Sequence, residues 1–195
     1  KGKPPLPRGY PYYVLVESLG GDKAADAERF EQVLGRALEE GLVVDAVIAK
    51  SQAEQAKMWA LRDDVGQVNR NGPAITFDVS LRIADMPAYV AEVEDKLRAR
   101  WPKVDNYVFG HLGDGNLHVL VWPGEQGPGI KKAVEDIVYG PLQAIGGSVS
   151  AEHGIGLSKK AYLPMSRNAG ELALMKALKT LLDPQSILNP GKILD

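Results

Sequence analysis

The chain has three histidines, and all of them lie in two glycine-rich stretches. GHLGDGNLHVLV, residues 110–121, carries His111 and His118, and SAEHGIG, residues 150–156, carries Glu152 beside His153. Imidazoles and carboxylates are the metal ligands and acid–base groups of neutral pH. Asp114-Gly115 is a favoured two-residue type I′ hairpin turn, flanked by Gly113 and Asn116. Around such a turn Leu112 pairs with Leu117 and His111 with His118. Cross-strand partners share a face, with Cβ atoms about 4.5–5.5 Å apart, so the two imidazoles could converge on one metal ion. A one-residue slip would send them to opposite faces.

A metal needs a third ligand, and Glu152 is the best candidate. His111, His118 and Glu152 suit zinc, with manganese or ferrous iron as alternatives. Three protein ligands leave an open position, the arrangement of catalytic rather than structural sites. His153 adjoins Glu152, and neighbouring side chains on an extended chain point apart, which frees His153 for acid–base work. The plainer alternative is a cross-strand histidine pair with no ion. Phosphate binding by the glycine-rich turn lacks the required strand–GxGxxG–helix context. Arg62, on a helix after Trp59 and Leu61, could clamp a substrate carboxylate or simply be solvated. Asp78 sits in a strand at the parity opposite to its apolar neighbours, as a buried polar contact or facing water. Lys159 and Lys160 read as exposed, and NPGK, residues 189–192, reads as a turn.

The elements that must position these groups alternate along the chain. Residues 12–17, 43–48, 74–83, 104–112 and 117–122 read as strands. Asp22 caps a helix reaching about Glu40, with Phe30, Val33, Leu34, Ala37 and Leu38 on one face. Ser51 caps a second helix to about Arg70, ended by Asn71-Gly72-Pro73. Further helices are expected over about 85–100, 130–145 and 170–182, the last broken by Asp183-Pro184. The central hairpin argues against a purely parallel sheet. The expected class is α+β: a mainly antiparallel sheet covered by helices, ferredoxin-like, single or duplicated.

Composition narrows the function. The chain has 195 residues, 45% hydrophobic and 25% charged, with net charge −2 and no cysteine. Thiolate nucleophiles, disulfides and cysteine-ligated metals are thereby excluded. Scattered Lys and Arg give no nucleic-acid footprint and no polybasic anchor. No apolar run reaches the roughly 18–20 residues of a membrane span. The expected compartment is reducing and cytoplasmic. Residues 1–10 (KGKPPLPRGY) read as a linker or lead-in, and residues 11–195 as one domain, a piece of something longer.

GHLGDGNLH, GSVSAEHGIG and LLDPQSILNPGKIL, in this order, resemble the C-terminal domain of the FAD-linked oxidases of the vanillyl-alcohol oxidase type. Within that family they resemble the D-2-hydroxyacid dehydrogenases, such as the D-2-hydroxyglutarate and D-lactate enzymes. The resemblance covers nearly the whole chain. It implies a helix-covered antiparallel sheet that caps a flavin, with FAD held mainly by an N-terminal domain not found in this sequence. It implies that His111, His118 and Glu152 hold a divalent metal that binds the substrate's hydroxyl and carboxylate. It makes His153 the general base while hydride passes from Cα to the flavin. Arg62, in the "WxLR" helix, would grip the carboxylate, and Asn116 would shape the turn and face the substrate. Asn189 and Lys192 would lie near the flavin. The implied partners are the FAD domain, a small 2-hydroxy acid and an electron acceptor such as a quinone or electron-transfer flavoprotein, with a homodimer as the expected assembly. The competing function is a stand-alone metal-dependent hydrolase or lyase built on the same His/His/Glu set. A non-catalytic ferredoxin-like binding module is the third reading.

Three positions depart from the 2-hydroxyglutarate enzymes. Those tend to have a lysine shortly before the strand aspartate, where this chain has Thr76 and Phe77. They have an asparagine two residues after the second histidine, here Leu120, and a threonine one turn after the arginine, here Val65 or Gly66. Binding of a distal carboxylate is thereby questioned, and the side chain stays open among glutarate-like, malate-like and lactate-like acids.

Overall fold

The computed structural model describes residues 3–64, 66, 68 and 72–194. The chain divides into two compact units, residues 1–67 and 68–195.

The first unit holds two helices, α1 (Lys23–Glu39) and α2 (Gln52–Asp63). Both start where the sequence predicts. The Asp22 carboxylate accepts from the backbone N–H groups of Ala24 and Ala25, and the Ser51 hydroxyl from that of Glu54. Each cap satisfies donors that the first helical turn leaves unpaired. No α1 residue is fully buried; Phe30 and Leu34 are half-buried, whereas Val33 and Leu38 are exposed. The strands expected at 12–17 and 43–48 do not form. Tyr12, Val14 and Val16 are exposed there. β-propensity alone does not make a strand, because the ladder needs a partner to take its backbone groups. α2 ends at Asp63, short of the expected boundary, and Val65, Arg70 and Asn71 lie outside the described residues.

The second unit is a helix-covered antiparallel sheet, which bears out the α+β class. Its strands are β1 (Ile75–Ser80), β2 (Asp105–His111) and β3 (Asn116–Trp122), in spatial order β1-β3-β2. Helix α3 (Met86–Arg100) joins β1 to β2, and α4 (Ile130–Tyr139) follows β3. β1 and β2 both run antiparallel to the strand between them, so β1-α3-β2 is a split β-α-β unit. After α4 the chain returns to the free edge of β1 as one antiparallel bridge, Ser148 to Ser80. The order is thus β-α-β-β-α with the sixth element of a ferredoxin-like unit reduced to that bridge. The helix expected over 130–145 is α-helical only to Tyr139; Gly140–Ile145 tightens into a 3₁₀ segment containing Pro141, which has no N–H to donate. Helix α5 (Ala169–Leu182) begins in a reciprocal cap between Asn168 and Glu171.

Strand parity decides which face is core. Phe77, Val79, Leu117, Val119 and Val121 point to one face, against Met86, Tyr89, Val93 and Leu97 of α3 and Val134 and Val138 of α4. The Tyr89 hydroxyl donates to the Val138 carbonyl at 2.9 Å, tying the two covering helices together. The opposite face carries Asp78, Ser80, Asn116, His111 and His118.

The β2–β3 connection differs from the expected type I′ turn. It is a 3₁₀ turn, Leu112–Asp114, closed by Gly115 in the left-handed region at φ 68°. The four-residue loop offers three 3₁₀ positions and a left-handed glycine, a combination the two-residue turn cannot provide. Gly115 also lies against β1: a Cβ there would meet the Leu81 carbonyl oxygen at 2.5 Å. Gly115→Ala is therefore expected to destabilise the fold by about 1–3 kcal/mol, read as a lower urea midpoint with unchanged slope.

Candidate active site

The observed register pairs His111 with Asn116 and His118 with Phe109, two residues away from the expected pairing of His111 with His118. A shift of two preserves parity, so both imidazoles still share a face. Two cross-strand rows result. One is Asp78–His118–Phe109 and the next is Ser80–Asn116–His111. The His111 and His118 rings meet edge to face, with centroids 5.7 Å apart.

Glu152 and His153 reach this face on a turn organised by Asp78. Its Oδ2 accepts from three consecutive backbone N–H groups, those of Ala151 at 3.1 Å, Glu152 at 3.0 Å and His153 at 2.8 Å. The Ser150 hydroxyl donates to the same oxygen at 3.2 Å and the Lys159 ammonium at 3.4 Å. Consecutive amides converging on one anion form a nest, here closed around a side chain of the protein itself. The turn carries Glu152 to His111, with Oε1 3.3 Å from the His111 Nε2, and the Asn116 amide donates to the same oxygen.

One potential ligand atom from each of His111, His118 and Glu152 lies within 4.8 Å of the other two. The predicted trio is thus assembled by the structure. Asp78, His118 and His153 form a second such cluster. The His153 ring stacks on His118 with centroids 5.7 Å apart, and its Nδ1 is 3.9 Å from Asp78 Oδ2. His118 is nearly enclosed, whereas His111, Glu152 and His153 open to solvent. Asn116 is buried behind them, and its Oδ1 has no hydrogen-bond partner among the described residues.

Asp78 is 1% exposed. Burial pushes its pKa up, but the amides of His153 and Glu152 and the positive charge of Lys159 outweigh that and hold it at about 2. A folded-state pKa below the unfolded value gives stability that is present above the unfolded value and lost as pH falls through the folded one. Asp78 is accordingly expected to contribute about 2 kcal/mol at neutral pH, lost between about pH 4 and pH 2. Acid unfolding of Asp78→Asn should show a flatter limb in that window.

Lys159 corrects the expectation of an exposed side chain. It is 8% exposed, and its ammonium donates to the Ser150 hydroxyl at 2.9 Å and to Asp78. Burial lowers its pKa, opposed by the Asp78 charge. A buried carboxylate needs a countercharge, which is why the first of the two adjacent lysines turns inward. Lys160 also has partners, donating to the carbonyls of Gly191 and Leu194 at 2.9 and 3.1 Å. That anchors the C-terminal turn containing Asn189 and Lys192, where the Lys192 N–H donates to the Asn189 carbonyl at 3.2 Å. Arg62 belongs to the first unit, is largely exposed, and pairs with Asp63 at 3.2 Å. The groups brought together are therefore His111, His118, Glu152, His153 and Asn116. Arg62 lies in the first unit, and Asn189 and Lys192 lie in the C-terminal turn, whose Ile193 N–H donates to the Gly156 carbonyl at 3.0 Å.

Sequence reasoning underrated Asp78 and Lys159. The signal for Asp78 was present: an acid in mid-strand, out of phase with Phe77 and Val79. Nothing local marked Lys159.

No helix among the described residues is long and apolar enough to cross a membrane. Residues 1–193 match the family described as FAD linked oxidases, C-terminal domain. Over 196 residues the chain is 40% identical to a D-2-hydroxyglutarate dehydrogenase of Xanthomonas citri pv. viticola, covering 98% of this chain and 41% of that protein. It is 40% identical over 185 residues to the mitochondrial D-2-hydroxyglutarate dehydrogenase of Rattus norvegicus, covering 94% and 34% respectively. Against the D-2-hydroxyglutarate dehydrogenase of Stutzerimonas stutzeri it is 33% identical over 197 residues, covering 97% and 42%. The chain thus spans between a third and a little over two-fifths of the length of these relatives. Matched across nearly its whole length, the chain belongs to the FAD-linked oxidases, as their C-terminal domain.

Proposed function

We propose that this chain is the substrate- and metal-binding part of a flavin-dependent dehydrogenase that oxidises a D-2-hydroxy acid to the 2-oxo acid. The observation that carries this reading is the convergence of His111, His118 and Glu152 with His153 beside them. The donor set suits a borderline divalent ion such as zinc, manganese or ferrous iron, and the open side of His111 and Glu152 leaves room for a substrate. A divalent ion in this place supplies Lewis acidity that makes the substrate hydroxyl easier to deprotonate, and FAD supplies the hydride acceptor.

The protein's own part is positioning and proton handling. His111, His118 and Glu152 would hold the ion. His153 takes the hydroxyl proton on Nε2, the ring nitrogen that is not turned to Asp78. Asn116 fixes Glu152 through its amide, and its buried carbonyl oxygen has no partner among the described residues. Arg62 is the candidate partner for the substrate carboxylate, and Asn189 and Lys192 for the flavin side. The rest of the enzyme would comprise an FAD-binding domain, an electron acceptor such as a quinone or electron-transfer flavoprotein, and a second copy in a homodimer.

The names of the relatives favour 2-hydroxyglutarate as substrate. A structural feature favours acids without a distal carboxylate. Thr76 and Leu120 face each other in the row next to Asp78 and His118, and neither carries charge. An anaerobic test with the flavoprotein containing this chain separates the cases. D-2-hydroxyglutarate, D-malate and D-lactate are each added, and loss of oxidised-flavin absorbance is timed. Bleaching fastest with D-lactate would favour the uncharged pocket, and bleaching fastest with a dicarboxylate would favour the relatives' substrate. No bleaching by any D-2-hydroxy acid, with hydrolase or lyase turnover by the flavin-free chain, would replace the dehydrogenase reading with the alternative.

A further inference from the structure

Among the described residues, the hydrogen-bond partners of the Asp78 carboxylate all fall on one of its two oxygens. Oδ2 receives the three amides of residues 151–153, the Ser150 hydroxyl and the Lys159 ammonium. Oδ1 is buried and has no hydrogen-bond partner among the described residues. A buried carboxylate oxygen without a donor is costly, so the nearest group able to donate matters. The His118 Nδ1 lies 4.0 Å from Oδ1, on the cross-strand partner of Asp78. Among the described residues no other hydrogen-bond donor reaches Oδ1; Lys159 and the His153 Nδ1 are placed against Oδ2, at 3.4 and 3.9 Å.

We infer that Asp78 is a positioning residue that sets two parts of the site at once: the turn bearing Glu152 and His153 through Oδ2, and the tautomer of His118 through Oδ1. With its proton on Nδ1, facing Asp78, His118 keeps a lone pair on Nε2. That is the form a metal-binding imidazole needs, and its other N–H characteristically goes to a carboxylate. The saturated Oδ2 leaves Oδ1 as the oxygen of Asp78 that faces His118. The inference rests on the proposed metal-dependent function for its purpose, but its two structural halves can be read in metal-free protein.

Asp78→Asn separates them. An asparagine must keep its oxygen at the Oδ2 position to accept from the amides, so its NH₂ replaces Oδ1. An acceptor facing His118 becomes a donor, and the imidazole is driven to the Nε2–H tautomer. Asp78→Ala removes both functions. The first measurement is ¹⁵N NMR of the imidazoles in metal-free protein. His118 should be in the Nδ1–H form in the wild type and in the Nε2–H form in Asp78→Asn. Hydrogen exchange at the amides of 151–153 should be slow in the wild type and in Asp78→Asn, and fast in Asp78→Ala. Titration with Zn²⁺ against a competing chelator should show affinity roughly 10- to 100-fold weaker in Asp78→Asn than in the wild type.

An Nε2–H His118 in the wild type overturns the inference even if neither variant folds. A tautomer unchanged in Asp78→Asn, or amides 151–153 equally protected in Asp78→Ala, overturns the corresponding half. Wild-type protein that binds no Zn²⁺, Mn²⁺ or Fe²⁺ overturns the metal reading instead, while the tautomer and exchange results still decide the role of Asp78.

Discussion

His153→Asn is expected to lower turnover of the flavoenzyme roughly 10²- to 10⁴-fold, the range over which a positioned general base contributes. Asparagine keeps a polar side chain of similar reach but cannot take a proton at neutral pH. His153 is well suited to so specific a loss. Its backbone N–H is bound to Asp78 at 2.8 Å, so the main chain stays in place when the ring is removed. Its ring is largely exposed and carries little of the packing. Flavin content and thermal stability should therefore change little, and the loss should fall on the rate of flavin reduction measured in single turnover. Unchanged reduction in His153→Asn would move the proton acceptor elsewhere.

His111→Ala and Glu152→Ala should each remove most of the bound metal after dialysis, seen by elemental analysis against a near-stoichiometric wild type. In the proposed three-ligand site, losing one ligand leaves two, and borderline ions held by two protein ligands exchange readily. The two variants should differ in one respect. Glu152 also accepts from Asn116, whose Oδ1 already lacks a partner, so Glu152→Ala leaves a buried amide with neither group bonded. Glu152→Ala is accordingly expected to be less stable than His111→Ala, by about 1–3 kcal/mol in urea unfolding. Full metal retention in both variants would move the ion to the Asp78, His118 and His153 cluster.

The histidine pairing shows how a partly wrong premise gave a right neighbourhood. The turn was expected at two residues and has four, and the register moved by two. Side chains alternate with period two, so the imidazoles stayed on one face; an odd shift would have separated them. The same alternation places Phe77 and Val79 in the core and Asp78 behind the site, and it is visible in the string ITFDVS without any structure.

Short-range rules carried the helix starts at Asp22 and Ser51, the apolar faces and the central hairpin, because caps, turns and periodicity are set by residues a few positions apart. They failed at 12–17 and 43–48, where a strand-like composition has no ladder to join. They could not supply the nest around Asp78, whose partners lie 72 to 75 residues further along the chain, or the inward turn of Lys159, 81 residues away. Which amides a buried carboxylate meets depends on where the chain returns after α4, and nothing in the local pattern around Asp78 encodes that return. The sequence alone was enough to name the imidazoles and the carboxylate. Their assembly into one site, through a single aspartate that satisfies three backbone donors and a lysine, was decided by the tertiary structure.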